Sequence, residues 1–149
     1  MPGGRAGRRG RPGGENGGRR LVEAIAAAQA QPFGWGQQDC ATGAVDVRRA
    51  LTGGAEDAAL WRGRYHTALG SRRVLRRLGW PSLEAGARAL LGDPRASPRL
   101  AQRGDLVLGG APAPAPEAFG ICIGAQAAFL SPEGLVTLPF SSLRLAWEP

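Results

Sequence analysis

The hydrophobic pattern of this 149-residue chain changes at about Gly104. Between residue 20 and that point, apolar side chains recur every three or four positions, which is the period of an amphipathic helix. Beyond it, apolar residues form short runs separated by glycine, proline and serine, which is typical of strands joined by turns. Helices followed by antiparallel strands predict an α+β domain, with the N-terminal helices packed on a small C-terminal sheet.

Four helices are predicted from their apolar stripes and their capping residues. The first covers residues 20–30 and the second covers 40–51, where Asp39 is a suitable N-cap. The second helix opens with a cysteine, and its buried stripe is predicted to consist of Cys40, Ala44, Val47 and Leu51. Ser71 and Ser82 are predicted to cap the third and fourth helices.

The C-terminal third of the chain supplies the predicted strands. Continuous apolar runs predict strands at 104–108 and 119–124. The segments 127–130 and 135–138 are predicted to form a hairpin, because a Ser-Pro-Glu-Gly turn separates them. A last strand or a short helix is predicted at 143–147.

Residues 1–20 are predicted to be a disordered leader, and residues 21–149 a single domain. After Met1 the leader has no aliphatic side chain larger than alanine, so it cannot bury surface to offset the entropy of ordering. Its six arginines and one glutamate carry +5 of the net charge of +7. The nearly neutral domain argues against a large basic groove, whereas the leader could contact nucleic acid weakly.

Cys40 is the first candidate for a reactive side chain. A thiolate at the start of a helix is stabilised by the positive end of the helix dipole and by free N–H groups. The neighbouring Asp39 opposes this effect, because a carboxylate disfavours a second negative charge. Two interpretations therefore stand side by side: Cys40 is a candidate nucleophile, or it is a small buried hydrophobic residue of the helix stripe.

Three short motifs occur in a characteristic order: Trp35-Gly36-x-x-Asp39-Cys40, then Arg-Gly-Asp-Leu-Val at 103–107, then Gly-Ile-Cys-Ile-Gly at 120–124. This order resembles the NlpC-type cell-wall peptidases of the papain-like superfamily. The chain is also similar to an uncharacterised phage and prophage family, domain of unknown function 6950. The second similarity adds the Pro-Phe start of the first motif, an Arg-Gly-x-Tyr segment at 62–65 and an arginine-rich helix ending in Leu-Gly.

The resemblance implies a papain-like core in which Cys40 is the catalytic nucleophile and Trp35, Gly36 and Asp39 form the binding turn around it. It also implies a phage or prophage protein associated with tail or virion assembly, in the cytoplasm or carried in a phage-like particle. Tail proteins or peptidoglycan peptides are the partners it suggests. An alternative for Trp35 is that the ring anchors the turn against the helices.

The chain departs from the superfamily pattern where the catalytic histidine is expected. That position falls at Ala118, and the third polar residue of the pattern falls near Leu130 or Ser131. General acid–base assistance contributes about 10²–10⁴-fold to such reactions, so its loss predicts degenerate or absent peptidase activity. The one histidine, His66, could act as a non-standard base, but no motif places it beside Cys40. An active cysteine hydrolase is therefore the alternative function.

Cofactors and metal ions are not expected. Two cysteines and one histidine at scattered positions do not make a zinc site, and a chain without lysine has no phosphate-binding Gly-Lys loop. No apolar run is long enough for a signal peptide or a membrane span. The arginines of the third helix fit a solvated face or a docking patch: Arg72, Arg73, Arg76 and Arg77.

Overall fold

The computed structural model describes residues 15–110 and 117–149, and within them it confirms the α+β arrangement. Four α-helices come first: α1 (Glu15–Ala30), α2 (Cys40–Thr52), α3 (Ala68–Arg77) and α4 (Leu83–Leu91). Five strands follow: β1 (Leu106–Gly109), β2 (Ala118–Cys122), β3 (Gln126–Ser131), β4 (Gly134–Pro139) and β5 (Leu143–Trp147). Short 3₁₀ turns occupy Asp57–Leu60, Pro98–Leu100 and Phe140–Ser142.

The five strands form one antiparallel sheet in the order β4-β3-β2-β1-β5. Helix α2 lies against β2, so the predicted stripe residues Ala44, Val47 and Leu51 share a core with Leu106 and Ile121. The prediction that Cys40 belongs to this buried stripe is wrong, because residue 40 is only half-buried at the helix start and lies outside the core cluster. The segment at 143–147, for which a strand or a helix was predicted, is strand β5. It lies beside β1, and its Trp147 is buried with the indole Nε1 donating to the Gly92 carbonyl at 3.0 Å.

Helix α2 begins and ends as its sequence predicts. The Asp39 carboxylate accepts a hydrogen bond from the Thr42 N–H at 2.9 Å, which is the expected N-cap contact. Gly53 follows the helix with φ of 65°, a left-handed conformation that glycine adopts without strain. Local interactions therefore define both ends of α2, including the start that carries Cys40.

Helix α1 begins at Glu15, five residues before the helix start predicted at residue 20. Gly17 is buried one helical turn before Leu21, which belongs to the core. Since glycine has no side chain, the helix backbone can approach its neighbours there, and the first turn gains packing that composition did not reveal. Residues 1–14, the remainder of the predicted leader, lie outside the described residues.

The predicted cap of the third helix is also wrong. Helix α3 begins at Ala68, and the hydroxyl of Thr67 accepts the Gly70 N–H at 3.0 Å. Ser71 lies within the helix, because its N–H donates to the Thr67 carbonyl at 3.0 Å. Ser82 is the N-cap of α4, as predicted, and accepts the Ala85 N–H at 3.1 Å. Within residues 15–110 and 117–149, no helix is long and apolar enough to cross a membrane.

Candidate functional site

Cys40 lies at the edge of a pocket of about 470 Å³. Four parts of the fold meet there: the turn before α2, the exposed side of α3, the start of α4, and the sheet ends at the start of β2 and the β3–β4 turn. A volume of this size is typical of sites for small ligands or single side chains of a partner. The position of the cysteine makes this pocket the candidate functional site.

Asp39 holds the pocket floor together. Its carboxylate is 1% exposed and accepts three hydrogen bonds. Oδ1 accepts from Thr42 N–H at 2.9 Å, and Oδ2 accepts from the Gly36 N–H at 2.9 Å and the Tyr65 hydroxyl at 2.5 Å. Burial and this bond to Asp39 raise the pKa of Tyr65 above its usual range, so the phenol remains a donor at neutral pH. Asp39 thus ties the turn, the helix start and the 61–65 segment to one another.

Gly36 is required by the close approach of Tyr65. Its φ of 84° is left-handed, and a Cβ at this position would lie 2.0 Å from the Tyr65 carbonyl oxygen. The Gly36 carbonyl in turn accepts the Gly63 N–H at 2.9 Å. Of the three predicted binding residues, Trp35 and Asp39 line the pocket, while Gly36 is buried in the turn that supports them.

The thiol of Cys40 is held in its neutral form. Burial, and after it the negative charge of Asp39, raise the pKa of Cys40 to about 11. The backbone N–H groups of Phe119 and Ala41 act in the opposite direction but do not compensate. At neutral pH a smaller fraction of this thiol is therefore ionised than of a free cysteine. The helix-start position thus fails to activate the sulfur in the way its sequence suggested.

The sheet opens where Cys40 meets it. The ladder between β2 and β3 contains Ile121–Ala128 and Cys122–Ala127 and does not continue to Phe119 and Leu130. The N–H of Phe119 faces the Cys40 sulfur instead. The thiol therefore lies against the start of β2, as expected from the order of the motifs.

The pocket offers Cys40 no imidazole. Ala118, at the position where the resemblance places the catalytic histidine, lies at the pocket with Leu130 and Ser131, and its methyl group packs on the cluster that contains Val107 and Cys122. His66 is exposed and is not among the residues that line the pocket. The other carboxylate at the pocket, Glu117, is paired with Arg144, which lowers the pKa of Glu117 and makes it a weaker base.

Trp35 contacts both the neighbouring aromatic residues and the pocket. The ring is half-buried against the cluster around Trp61 and Tyr65, and it packs edge-on to Phe33 with 5.1 Å between ring centroids. Its remaining face lines the pocket. Trp35 therefore anchors the turn and also offers an aromatic surface to a ligand.

The second motif contributes to stability at a distance from the pocket. Asp105 is fully buried and pairs with Arg95 through Nε–Oδ2 at 2.6 Å and Nη2–Oδ1 at 3.1 Å. Its carboxylate also accepts the Gln102 N–H at 3.0 Å. Asp105 is not among the residues that line the pocket.

Within residues 15–110 and 117–149, no cluster of three or more His, Cys, Asp or Glu side chains could hold a metal ion.

Tyr65 was not identified as a site residue from the sequence, and Arg72 and Arg76 were identified only as half of an arginine quartet that fitted a solvated face or a docking patch. Tyr65 was visible only as the last residue of the Arg-Gly-x-Tyr segment, with no indication that it bonds to Asp39. Arg72 and Arg76 line the pocket from α3, one helical turn apart. Their spacing was the available signal, since residues four apart share a helix face.

Comparison with known proteins gives one family. The model of a domain of unknown function (DUF6950) matches residues 16–148, nearly the whole chain. A comparison with curated proteins found no match.

Proposed function

We propose that this chain, which belongs to the DUF6950 family, is a papain-like domain of the NlpC type that binds a peptide in front of Cys40 without cleaving it. The observation that carries this proposal is the pairing of a neutral thiol with an alanine. Burial raises the pKa of Cys40 to about 11, and Ala118, which occupies the histidine position of the motif, lies at the same pocket.

Cleavage of an amide requires both an ionised nucleophile and an acid that protonates the leaving amine. The Tyr65 phenol is bonded to Asp39, and Glu117 is bonded to Arg144, so neither is free to serve Cys40. The pocket itself remains open and lined by aromatic and aliphatic side chains, which suits binding. Retention of the pocket with loss of the proton-transfer group favours a binding role.

The resemblance to phage and prophage proteins extends this proposal to the assembly of a tail or virion. In that role the bound peptide would belong to a tail protein or to peptidoglycan. The motif order is the support for this part of the proposal, and the contact of Cys40 with the start of β2 agrees with it.

The proposal is tested by incubating the protein with peptidoglycan stem peptides and following both binding and cleavage. Binding is measured through the fluorescence of Trp35 and Trp80, because both rings line the pocket. Cleavage is measured by mass spectrometry, with Cys40→Ala as the matched control. We expect no cleavage by either protein; cleavage by the wild type that Cys40→Ala abolishes would overturn the proposal.

An active cysteine hydrolase is the second candidate, and one observation favours it: Cys40 opens a helix and lines a ligand-sized pocket. This function needs a base that the described pocket residues do not supply, or a ligand that brings one. The pH dependence of alkylation by iodoacetamide separates the two candidates. A Cys40 pKa near 11 supports the binding role, whereas a pKa below about 8.5, the usual value for a free thiol, supports the hydrolase.

A further inference from the structure

Helix α3 presents an uncompensated positive charge to the pocket. Its four arginines are exposed, and the helix contains no acidic residue. Arg72 and Arg76 line the pocket, whereas Arg73 and Arg77 do not. Within residues 15–110 and 117–149, the side chains of Arg72 and Arg76 have no carboxylate within ion-pair distance.

The carboxylates of the pocket do not neutralise these two arginines. Asp39 is committed to its three donors, and Glu117 is bound by Arg144, which also bonds to Glu84 at 2.7 Å. The pocket therefore has a cationic rim with two guanidinium groups available for an anion. Arginine pairs are suited to carboxylates, because each planar guanidinium can donate two parallel hydrogen bonds.

The rest of the pocket is apolar. Its wall includes Trp35, Leu75, Trp80, Leu83 and Leu130. A ligand that satisfies both parts of the site has a compact apolar group for the wall and an anionic group for the rim.

The sheet provides a third type of contact next to this wall. Ser131 and Gly134 flank a two-residue turn and form a hydrogen-bonded pair, so the N–H and C=O of Leu130 point away from β4 and towards β2. The described ladder gives them no partner on β2, because it stops at Ile121–Ala128. Strand groups that lie beyond the end of a ladder can bind the main chain of an extended peptide.

We infer that the pocket binds the carboxyl terminus of a peptide that ends in an apolar residue. The last side chain enters the apolar part, the free α-carboxylate pairs with Arg72 and Arg76, and the main chain lies along Leu130. This inference specifies the ligand of the proposed binding function and rests on it. A fatty acid would use the rim and the wall but has no amide groups for Leu130.

The test compares acetyl-Ala-Ala-Phe, carrying a free C-terminal carboxylate, with the same peptide as its C-terminal amide and with laurate. Binding to the full chain is measured by tryptophan fluorescence and confirmed by calorimetry. We expect the carboxylate peptide to bind, and the amide and laurate to bind at least about threefold more weakly. A threefold loss of affinity corresponds to the weaker end of the free energies expected for exposed ion pairs.

Two double variants separate the rim from general charge. Arg72→Gln/Arg76→Gln should weaken binding of the carboxylate peptide by about 3- to 30-fold and leave binding of the amide peptide unchanged. Arg73→Gln/Arg77→Gln removes the same charge from the same helix outside the pocket. It should change the affinity for neither peptide by more than about twofold. Circular dichroism confirms that both variants are folded.

The outcomes distinguish this inference from the function on which it rests. Equal binding of the carboxylate and the amide peptide overturns the inference and leaves the binding function intact. Tighter binding of laurate than of the peptide also overturns it. Cys40-dependent cleavage of the peptide overturns the binding function, and the rim is then judged from binding to Cys40→Ala. Absence of binding by both peptides overturns both.

Discussion

Asp39→Ala should destabilise the protein more than any other loss of a single carboxylate near the pocket. The variant removes the N-cap of α2, which contributes about 1 kcal/mol. It also leaves the buried Tyr65 hydroxyl and the Gly36 N–H without their acceptor, at about 1–3 kcal/mol each. The three losses together set an expected cost of about 3–5 kcal/mol, since removal of a buried charge offsets part of the total.

The cost is measured by urea denaturation and by the midpoint of thermal unfolding. For a chain of this size, about 3–5 kcal/mol lowers the midpoint by roughly 6–20 °C. Asp46→Ala is the matched control: it lies in the same helix, it is partly exposed, and its ion pair with Arg62 spans 2.6 Å. Because exposed pairs contribute about 0–1 kcal/mol, the control should lose less than about 4 °C.

A double-mutant cycle locates the origin of the cost. Tyr65→Phe alone should cost about 1–1.5 kcal/mol, since Asp39 keeps its two backbone donors. In the Tyr65→Phe background, Asp39→Ala should cost about 1–2 kcal/mol less than in the wild type, because no phenol is left unpaired. The reasoning is refuted if Asp39→Ala costs no more than Asp46→Ala, or if the cycle shows no coupling.

Three further predictions follow from the site. Ala118→His should leave the pH dependence of Cys40 alkylation unchanged, because the side chain of residue 118 packs with Val107 and Cys122 on the face of the sheet opposite α2. A lowered pKa of Cys40 in this variant, absent in Ala118→Gln, would show that residue 118 reaches the thiol. Folding raises the pKa of Cys40 from 9.0 to about 11, so the contribution of this thiol to stability is fully present below pH 9 and declines towards pH 11. The wild type should therefore lose more free energy of unfolding between pH 9 and pH 11 than Cys40→Ser, as measured by urea titrations. Gly36→Ala should cost at least about 2 kcal/mol of stability, because residue 36 has a left-handed backbone and its Cβ would clash with Tyr65. Gly34→Ala should cost less than about 1 kcal/mol, because the space around its Cβ is open, and equal melting points for the two variants would contradict this.

The sequence was informative where structure is decided locally. The Asp39 cap, the glycine after α2 and the apolar stripe of that helix all depend on neighbours within a few positions. The strands were recognisable for the same reason, since short apolar runs between turn residues have few alternatives. These local rules were enough to predict helices packed on a C-terminal antiparallel sheet.

Contacts between distant segments account for what the sequence did not reveal. The start of α1 at Glu15 depends on the burial of Gly17, and a glycine has no hydropathy that would signal burial. Thr67 caps α3 in place of Ser71 because both residues have the right chemistry and only the path of the preceding chain selects one. The bond from Tyr65 to Asp39 spans 26 positions, and no periodicity predicts it.

The distinction between local and long-range interactions also applies to the pKa of Cys40. The sequence predicted that Cys40 opens a helix, and the structure confirms this; both Cys40 and Ala118 lie at the pocket. The sequence did not show whether the dipole or the burial would dominate the pKa of the thiol. That balance depends on how tightly the start of β2 and the Asp39 carboxylate enclose the sulfur, which is a property of the packed structure.

Strand β5 has a consequence for how the chain must be synthesised and handled. It comes after β1 in the chain, yet it covers the outer edge of β1, and its Trp147 closes the core from that side. Until residues 143–147 have left the ribosome, β1 presents an open edge of the kind that recruits other chains into aggregates. Shortened versions that lack this strand should therefore precipitate.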